Sequence, residues 1–379
     1  MYQSTNSLHQ KLKDILDLFS RAGISVVEYR DYYHFIDLVL DKPIDQSLFR
    51  EFYNELLTKH SVLIAQLKTH VPIVRLTEYR SKVSKLYGFR WILSTLTIIT
   101  VFLTGYGLFQ KLYQTLGVEI SFTQLLLESF LYVVVFLGIL LSHELGHLLT
   151  SKRSSILADG PILIPAPPIQ LGFLGTLGAV IFVKTPPVSR KDLAKLGISG
   201  PLAGFIAATI IGVIGVHLSP IIPSEVLEQL IESGRVASVE FASLMFILLI
   251  KLASIEGSIY IHPLFFASYI IYIITFLNLL PIGQLDGGHV VRSIVSNRIF
   301  AKISLLIPLI LLSVGTIAEL AYGAGLIYTS LGILSIILYL VIGRHGHPGV
   351  ANQYDNSKCP WCILTYLVLL VLTFPIPIL

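Results

Sequence analysis

Charge is scarce in this chain: of 379 residues only 13% are Asp, Glu, Lys or Arg, while 54% are hydrophobic. A water-soluble globule carries about twice that charged share, so the sequence reads as a multi-spanning membrane protein, in keeping with its mean hydropathy of +0.76. Cysteine is nearly absent. Cys359 and Cys362, in the run CPWC, are too few for a disulfide framework and leave the redox compartment open. The net charge of +4 comes without a clustered basic stripe, so a DNA or RNA partner has no support. The polar opening, which contains KLKDILDLFSR, has no apolar core ending in a cleavage site. No signal peptide is expected, and insertion begins at the first span.

Residues 1–88 differ from the rest in having frequent charges and no apolar run of bilayer length. Their pattern predicts a helix from Leu8 to Ser20, extended segments ISVVEY and YYHFIDLVL, a second helix from Gln46 to Thr58, and further strands SVLIAQL and VPIVRLTEY. This order implies a small α+β accessory domain outside the membrane, ahead of a membrane-embedded domain at 89–379. A crossing helix needs about 20 apolar residues. By that measure the spans are 91–111, 123–150, 192–218, 262–284, 299–321, 324–343 and 361–379. The stretch 241–255 is short and interrupted by Lys251.

Lys and Arg accumulate on the cytoplasmic side of membrane proteins. The basic connections are the N-terminal region, Lys152 to Lys195, Arg292 to Lys302 and Arg344 to Lys358, whereas Ser219 to Glu240 is acidic. If 241–255 does not cross, every basic connection falls on one side and the acidic one on the other. Seven crossings in the cell membrane, a cytosolic N-terminus and an interfacial or re-entrant 241–255 are therefore expected. Between the second and third spans, Gly160 to Pro187 alternates glycines and prolines with the strand-like runs ILI and AVIFV. Non-helical backbone this apolar must be shielded by protein or line a cavity, so a membrane-associated β-hairpin is predicted.

Within the second span lies LLSHELGHLLTS, from Leu140 to Ser151. Ionisable groups in hydrocarbon cost at least a few kcal/mol unless partnered. His143 and His147 are four residues apart, so both imidazoles leave one helix face and can grip one ion. Glu144 is placed to take a proton from a water at that metal without binding the metal itself. This is the H-E-x-x-H arrangement of zinc hydrolases. The alternatives are polar residues that pair within the bundle, or a metal-ion transporter or channel that uses the histidines in transit.

A catalytic zinc site has three protein ligands and one open position. The third ligand must be an Asp, Glu or His at similar depth on another helix running the same way. The span at 262–284 meets this condition and leads into NLLPIGQLDGGHV, which nominates Asp286. The nomination depends on topology: had 241–255 crossed, Asp286 would lie on the opposite face from the histidines.

HELGH in a span, followed by N-x-x-P-x-x-x-x-D-G (Asn278, Pro281, Asp286, Gly287) near the end of a later one, resembles the site-2 protease family of intramembrane metalloproteases. GFLGT, Gly172 to Thr176, is similar to that family's glycine-containing membrane hairpin, and GPLAG, Gly200 to Gly204, to the start of its middle core helix. The resemblance covers about 123–290, and the small front domain is similar, more weakly, to the branch found in archaea and plastids. No candidate PDZ or CBS domain is present. The resemblance implies an all-α multi-spanning membrane bundle with a membrane-associated β-hairpin. It further implies one Zn2+ on His143, His147 and Asp286, with Glu144 as general base and Asn278 holding substrate near the metal. The hairpin with Gly172 and Gly175 would offer a strand edge to the substrate. The partners implied are single-span or multi-span membrane proteins within the lipid bilayer, cut in or near a transmembrane helix.

Such chemistry needs water at the metal. His143 lies nine residues before Lys152, which puts the site roughly 13 Å below the basic surface, so a polar channel from the cytosolic side is expected. The substrate must unwind locally, because a helix hides its own carbonyls. His289, three residues after Asp286, is weighed as a fourth ligand and set aside, since a closed shell would exclude water. His345 and His347 with Cys359 and Cys362 have the right types for a second, structural zinc, against thiols or a disulfide. His217 and His262 fall at span ends, where polar side chains need no special role.

Overall fold

The computed structural model describes residues 4–80, 85–234, 236, 238–255, 257–322, 325–344 and 346–378. The polar first eighty residues form α1 (Ser4–Arg21), β1 (Val26–Tyr32), β2 (Phe35–Leu40), α2 (Gln46–His60), β3 (Val62–Lys68) and β4 (Pro72–Glu78), matching the predicted order of elements. The strands make an antiparallel sheet in the order β1-β2-β4-β3. Asp45 starts α2 by accepting from the Ser47 backbone N–H at 3.0 Å, which satisfies one of the donors a helix start leaves unpaired. Alternating burial along β3 turns Val62 and Ile64 inward, where they join Phe19, Phe49, Tyr53 and Leu56 in one core. Val188 and Ala351, from far along the chain, belong to the same core.

A single turn, α3 (Lys85–Gly88), leads into α4 (Arg90–Leu116) and α5 (Phe122–Arg153). The expected hairpin follows as β5 (Ala158–Pro165) and β6 (Thr176–Val183), paired antiparallel. Next come α6 (Arg190–Leu218), β7 (Ile221–Ile222), α7 (Ser224–Glu232), β8 (Phe241–Ser243), α8 (Leu244–Leu252) and β9 (Ser258–Ile259). The chain then forms α9 (Pro263–Leu279), α10 (Asp286–Ile294), α11 (Asn297–Tyr322), α12 (Leu326–Leu338), α13 (Pro360–Thr373) and β10 (Pro375–Pro377).

Among the described residues five helices are long and apolar enough to cross a membrane: Arg90–Leu116, Phe122–Arg153, Arg190–Leu218, Asn297–Ala321 and Leu326–Gly343. These make the chain an integral membrane protein. The other two predicted spans are shorter helices of 17 and 14 residues, about 26 and 21 Å long at 1.5 Å per residue. Proline sets their limits. The predicted 262–284 helix stops at Leu279, just before Pro281, so Asp286 opens a separate helix instead of ending the long one. The predicted 361–379 helix ends at Thr373, and Pro375–Pro377 pairs with β8. The nine residues of α8 span only about 14 Å.

The N-terminal unit packs against the start of α6 and the connection after α12. The Arg50 guanidinium pairs with the buried Asp192 carboxylate at the start of α6, and the Tyr53 hydroxyl donates to the Pro186 carbonyl at 2.8 Å. Edge strand β3 is covered at Gln66, whose N–H donates to the Ala351 carbonyl at 2.8 Å and whose carbonyl accepts from the Gln353 N–H at 2.9 Å. Arg50→Leu should leave the Asp192 carboxylate buried with little beyond Ser189 Oγ, which donates to it at 2.6 Å. Loss of a buried charged partner costs about 1–3 kcal/mol. The variant should melt earlier than wild type in detergent, with proteolysis starting in the N-terminal unit. An unchanged melting point would show that the pair does not fasten the unit.

Candidate metal centre

Three side chains from two elements converge inside the bundle. On α5, His143 and His147 lie one turn apart with their Nε2 atoms 3.1 Å from each other. Asp286, the first residue of α10, brings Oδ2 to 3.1 Å from His143 Nε2 and Oδ1 to 3.2 Å from His147 Nε2. A tetrahedral ion with bonds of about 2.0–2.1 Å holds its ligand atoms about 3.3 Å apart, so the triangle fits such an ion closely. It is the one cluster of metal-ligating groups among the described residues. His147 Nδ1–H donates to the Leu196 carbonyl at 2.9 Å, which fixes the tautomer and leaves the Nε2 lone pair facing the cluster. Glu144 is buried beside it.

The cluster opens into a cavity of about 570 Å³ whose walls include Glu144, Asn278, Ile181, Gln284 and His289. Asn278, from the last turn of α9, lines the same cavity as the histidines and Asp286. Strand β6 contributes Ala179 through Val183 to the wall, and its far edge is unpaired in the two-stranded sheet. Gly172 and Gly175 do not reach the cavity. They sit in the connection between the strands with φ of +83° and +82°, a conformation L side chains rarely adopt. A Cβ on Gly175 would lie 2.7 Å from the Thr100 carbonyl oxygen of α4, so packing and backbone shape already account for this glycine.

The second-zinc candidates are not brought together. Cys359 and Cys362 are bonded to each other as a disulfide, so neither is a thiolate ligand. His347 pairs with His289 at 2.7 Å, and His345 lies outside the described residues. His289 is not part of the three-residue cluster. His217 Nδ1–H donates to the Val213 carbonyl and His262 accepts from the Leu264 N–H as the N-cap of α9, local roles in keeping with their positions at helix ends.

Residues 131–317 match the family described as Peptidase family M50. Just under half of the chain is thus similar to that family, which includes the site-2 proteases. Among its relatives, "Probable zinc metalloprotease EGY2, chloroplastic" of Arabidopsis thaliana is 30% identical over 169 residues, 43% of this chain and 28% of that protein. "Probable zinc metalloprotease EGY1, chloroplastic" of the same plant is 30% identical over 162 residues, covering 41% and 28%. The chain therefore spans little more than a quarter of the length of these relatives. The solved "Site-2 Protease from Methanocaldococcus jannaschii" aligns over 69% of this chain and 91% of its own with 18% identity and a TM-score of 0.27.

The candidate metal centre packs against a glycine face on α6 that motif reading noted only in part. A Cβ on Gly200 would lie 2.1 Å from His147 Nε2, one on Gly204 3.1 Å from His143 Cβ, and one on Gly197 2.6 Å from the Asp286 carbonyl oxygen. The positions 197, 200 and 204 repeat at helical spacing and so share one face. That spacing is in the sequence, but nothing there says which side chains the face receives. Gly200→Ala should displace His147 and lower bound zinc well below one per chain while circular dichroism stays helical. Gly138→Ala, where no atom lies within 4 Å of the added Cβ, is the control and should keep its zinc. Full zinc in Gly200→Ala would show that the face can yield.

Proposed function

We propose that this chain is an intramembrane zinc endopeptidase that hydrolyses a peptide bond within or near a transmembrane helix of membrane-protein substrates. The observation that carries this reading is the triangle of His143, His147 and Asp286 with Glu144 beside it, in a segment matching a peptidase family. Residues 1–88 form a cytosolic accessory domain and 89–379 the protease domain. The polypeptide crosses the cell membrane seven times from a cytosolic N-terminus, with α9 and α13 as the two short crossings. The contacts among the N-terminal unit, the start of α6 and residues 351–353 support this by gathering basic connections on one side.

His143, His147 and Asp286 hold the zinc, which when bound polarises a carbonyl and makes water acidic enough to ionise near neutral pH. Glu144 accepts a proton from the attacking water and returns it to the leaving amine. Asn278 holds the substrate backbone in the cavity. The unpaired edge of β6 receives the locally unwound substrate as an added strand, which exposes the scissile carbonyl that a helix would bury. Gly172 and Gly175 support this by shaping the hairpin, not by touching substrate. The transporter reading gains nothing from the family match.

Purified protein should contain about one zinc per chain and cut a tagged single-span helix carrying helix-weakening residues. Glu144→Gln should keep its zinc and lose about 10²–10⁴-fold in rate, whereas Asp286→Ala and His143→Ala should lose both. A strong chelator should stop cleavage, and added zinc should restore it. Undiminished cleavage by Glu144→Gln, or metal flux in sealed vesicles without cleavage, would overturn the reading.

A further inference from the structure

His289 and His347 form a pair in the cavity wall that the chemistry above does not use. Asp286 and His289 are three residues apart on α10, so their side chains leave the same face one turn apart, and both line the cavity with Glu144. His347 comes from the connection between α12 and α13. Its ring is buried and packs edge-on to Phe300 with centroids 5.7 Å apart.

The hydrogen bonds here run in only one direction. The Gly349 backbone N–H, which can only donate, reaches His347 Nδ1 at 2.9 Å. His347 Nδ1 must then accept, so the neutral ring carries its proton on Nε2. That N–H points at His289 Nδ1, 2.7 Å away. His289 Nδ1 must accept in turn, which puts the His289 proton on Nε2. Among the described residues this last nitrogen has no partner, and it is not among the buried unpartnered atoms, which leaves it accessible on a ring that lines the cavity. Burial lowers the pKa of both rings, His289 to about 4, and keeps them in the neutral form that this chain of bonds requires.

We propose that His289 is a catalytic hydrogen-bond donor: its Nε2–H meets the scissile carbonyl oxygen as negative charge develops there, and His347 is the positioning residue that fixes it in the donor tautomer. This inference rests on the peptidase reading. No proton is transferred by either ring. The donor stays in place through the reaction, and its bond strengthens as the oxygen gains charge. A fixed donor aimed at developing charge is worth about 10²–10³ in turnover, and a partner that orients such a group about 10–100-fold.

The test uses the full chain in detergent. Nitrogen-15 spectra of labelled histidine in the zinc-free protein should find His289 as the Nε2–H tautomer, and His347→Phe should release it into a mixture. With zinc loaded and a single-span helix as substrate, His289→Leu should retain one zinc per chain and an unchanged KM while kcat falls about 10²–10³-fold. His289→Gln, which restores an N–H donor, should recover part of that loss. His347→Phe should lose about tenfold or more in kcat. An Nδ1–H form of His289 in wild type, an unaltered kcat in His289→Leu, or loss of zinc from that variant overturns the proposal. If wild type cleaves nothing and matches Glu144→Gln, the peptidase reading itself falls, a result distinct from any effect confined to position 289.

Discussion

Two imidazoles and a carboxylate must sit about 3 Å apart inside an apolar bundle, and most of the surrounding architecture follows from that requirement. Each group alone would cost at least a few kcal/mol in hydrocarbon; together they share one charge balance, with His147 Nδ1 also donating to the Leu196 carbonyl. The backbones must then come close, and only a face without side chains permits it. Gly197, Gly200 and Gly204 give α6 that face toward His143, His147 and Asp286. The neighbouring contact follows the same rule: Gly146, inside the HELGH turn, would bring a Cβ to 2.4 Å from the Ser199 carbonyl oxygen.

The break between α9 and α10 meets the same need from the other side. On a continuous helix Asp286 would stand seven residues, about 10 Å, beyond Leu279 along the axis of α9. The chain instead ends α9 before Pro281 and restarts at Asp286, whose carboxylate meets both histidines, with the Gly283 N–H donating to Ser304 Oγ at 2.9 Å in the turn between. Gly287 packs here with a Cβ position only 1.9 Å from the Leu279 carbonyl oxygen. The Asp-Gly pair is therefore one unit: the acid meets the histidines and the glycine lets the returning helix close on the end of the previous one.

The parts of this design that follow a period could be read from residues alone. The i, i+4 histidines, the order of helices and strands in the first eighty residues, the hairpin between glycines and prolines, and the shortness of the helix within 241–255 all rest on spacing or length. The pairing of Asp286 with the histidines came from charge placement, which fixed the parity of crossings. What could not be read depends on contacts distant in sequence. The lengths of α9 and α13 were overestimated because apolar runs continue past the prolines that stop the helices. The CPWC motif and His347 of HGH, twelve residues apart and of ligand type, belong to different contacts: the cysteines bond to each other and His347 turns to His289.

The first eighty residues acquire a structural meaning from that last contact. The connection carrying His347 is held at separate points along its length. Its residues Ala351 and Gln353 bond to Gln66 at the edge of β3. The Gln66 side chain donates to Asn352 Oδ1 at 3.2 Å. Farther on, Asp355 accepts from the Arg190 N–H at 2.7 Å and Ser357 from the Lys191 N–H at 3.1 Å, satisfying donors that the start of α6 would otherwise leave open. The disulfide then closes the connection onto α13. An accessory unit that served only as a soluble appendage would have no reason to cover its own sheet edge with a segment that lines the cavity. Its attachment at Gln66, four residues from His347 at the nearest point, makes the small sheet part of the frame that holds the cavity wall in position.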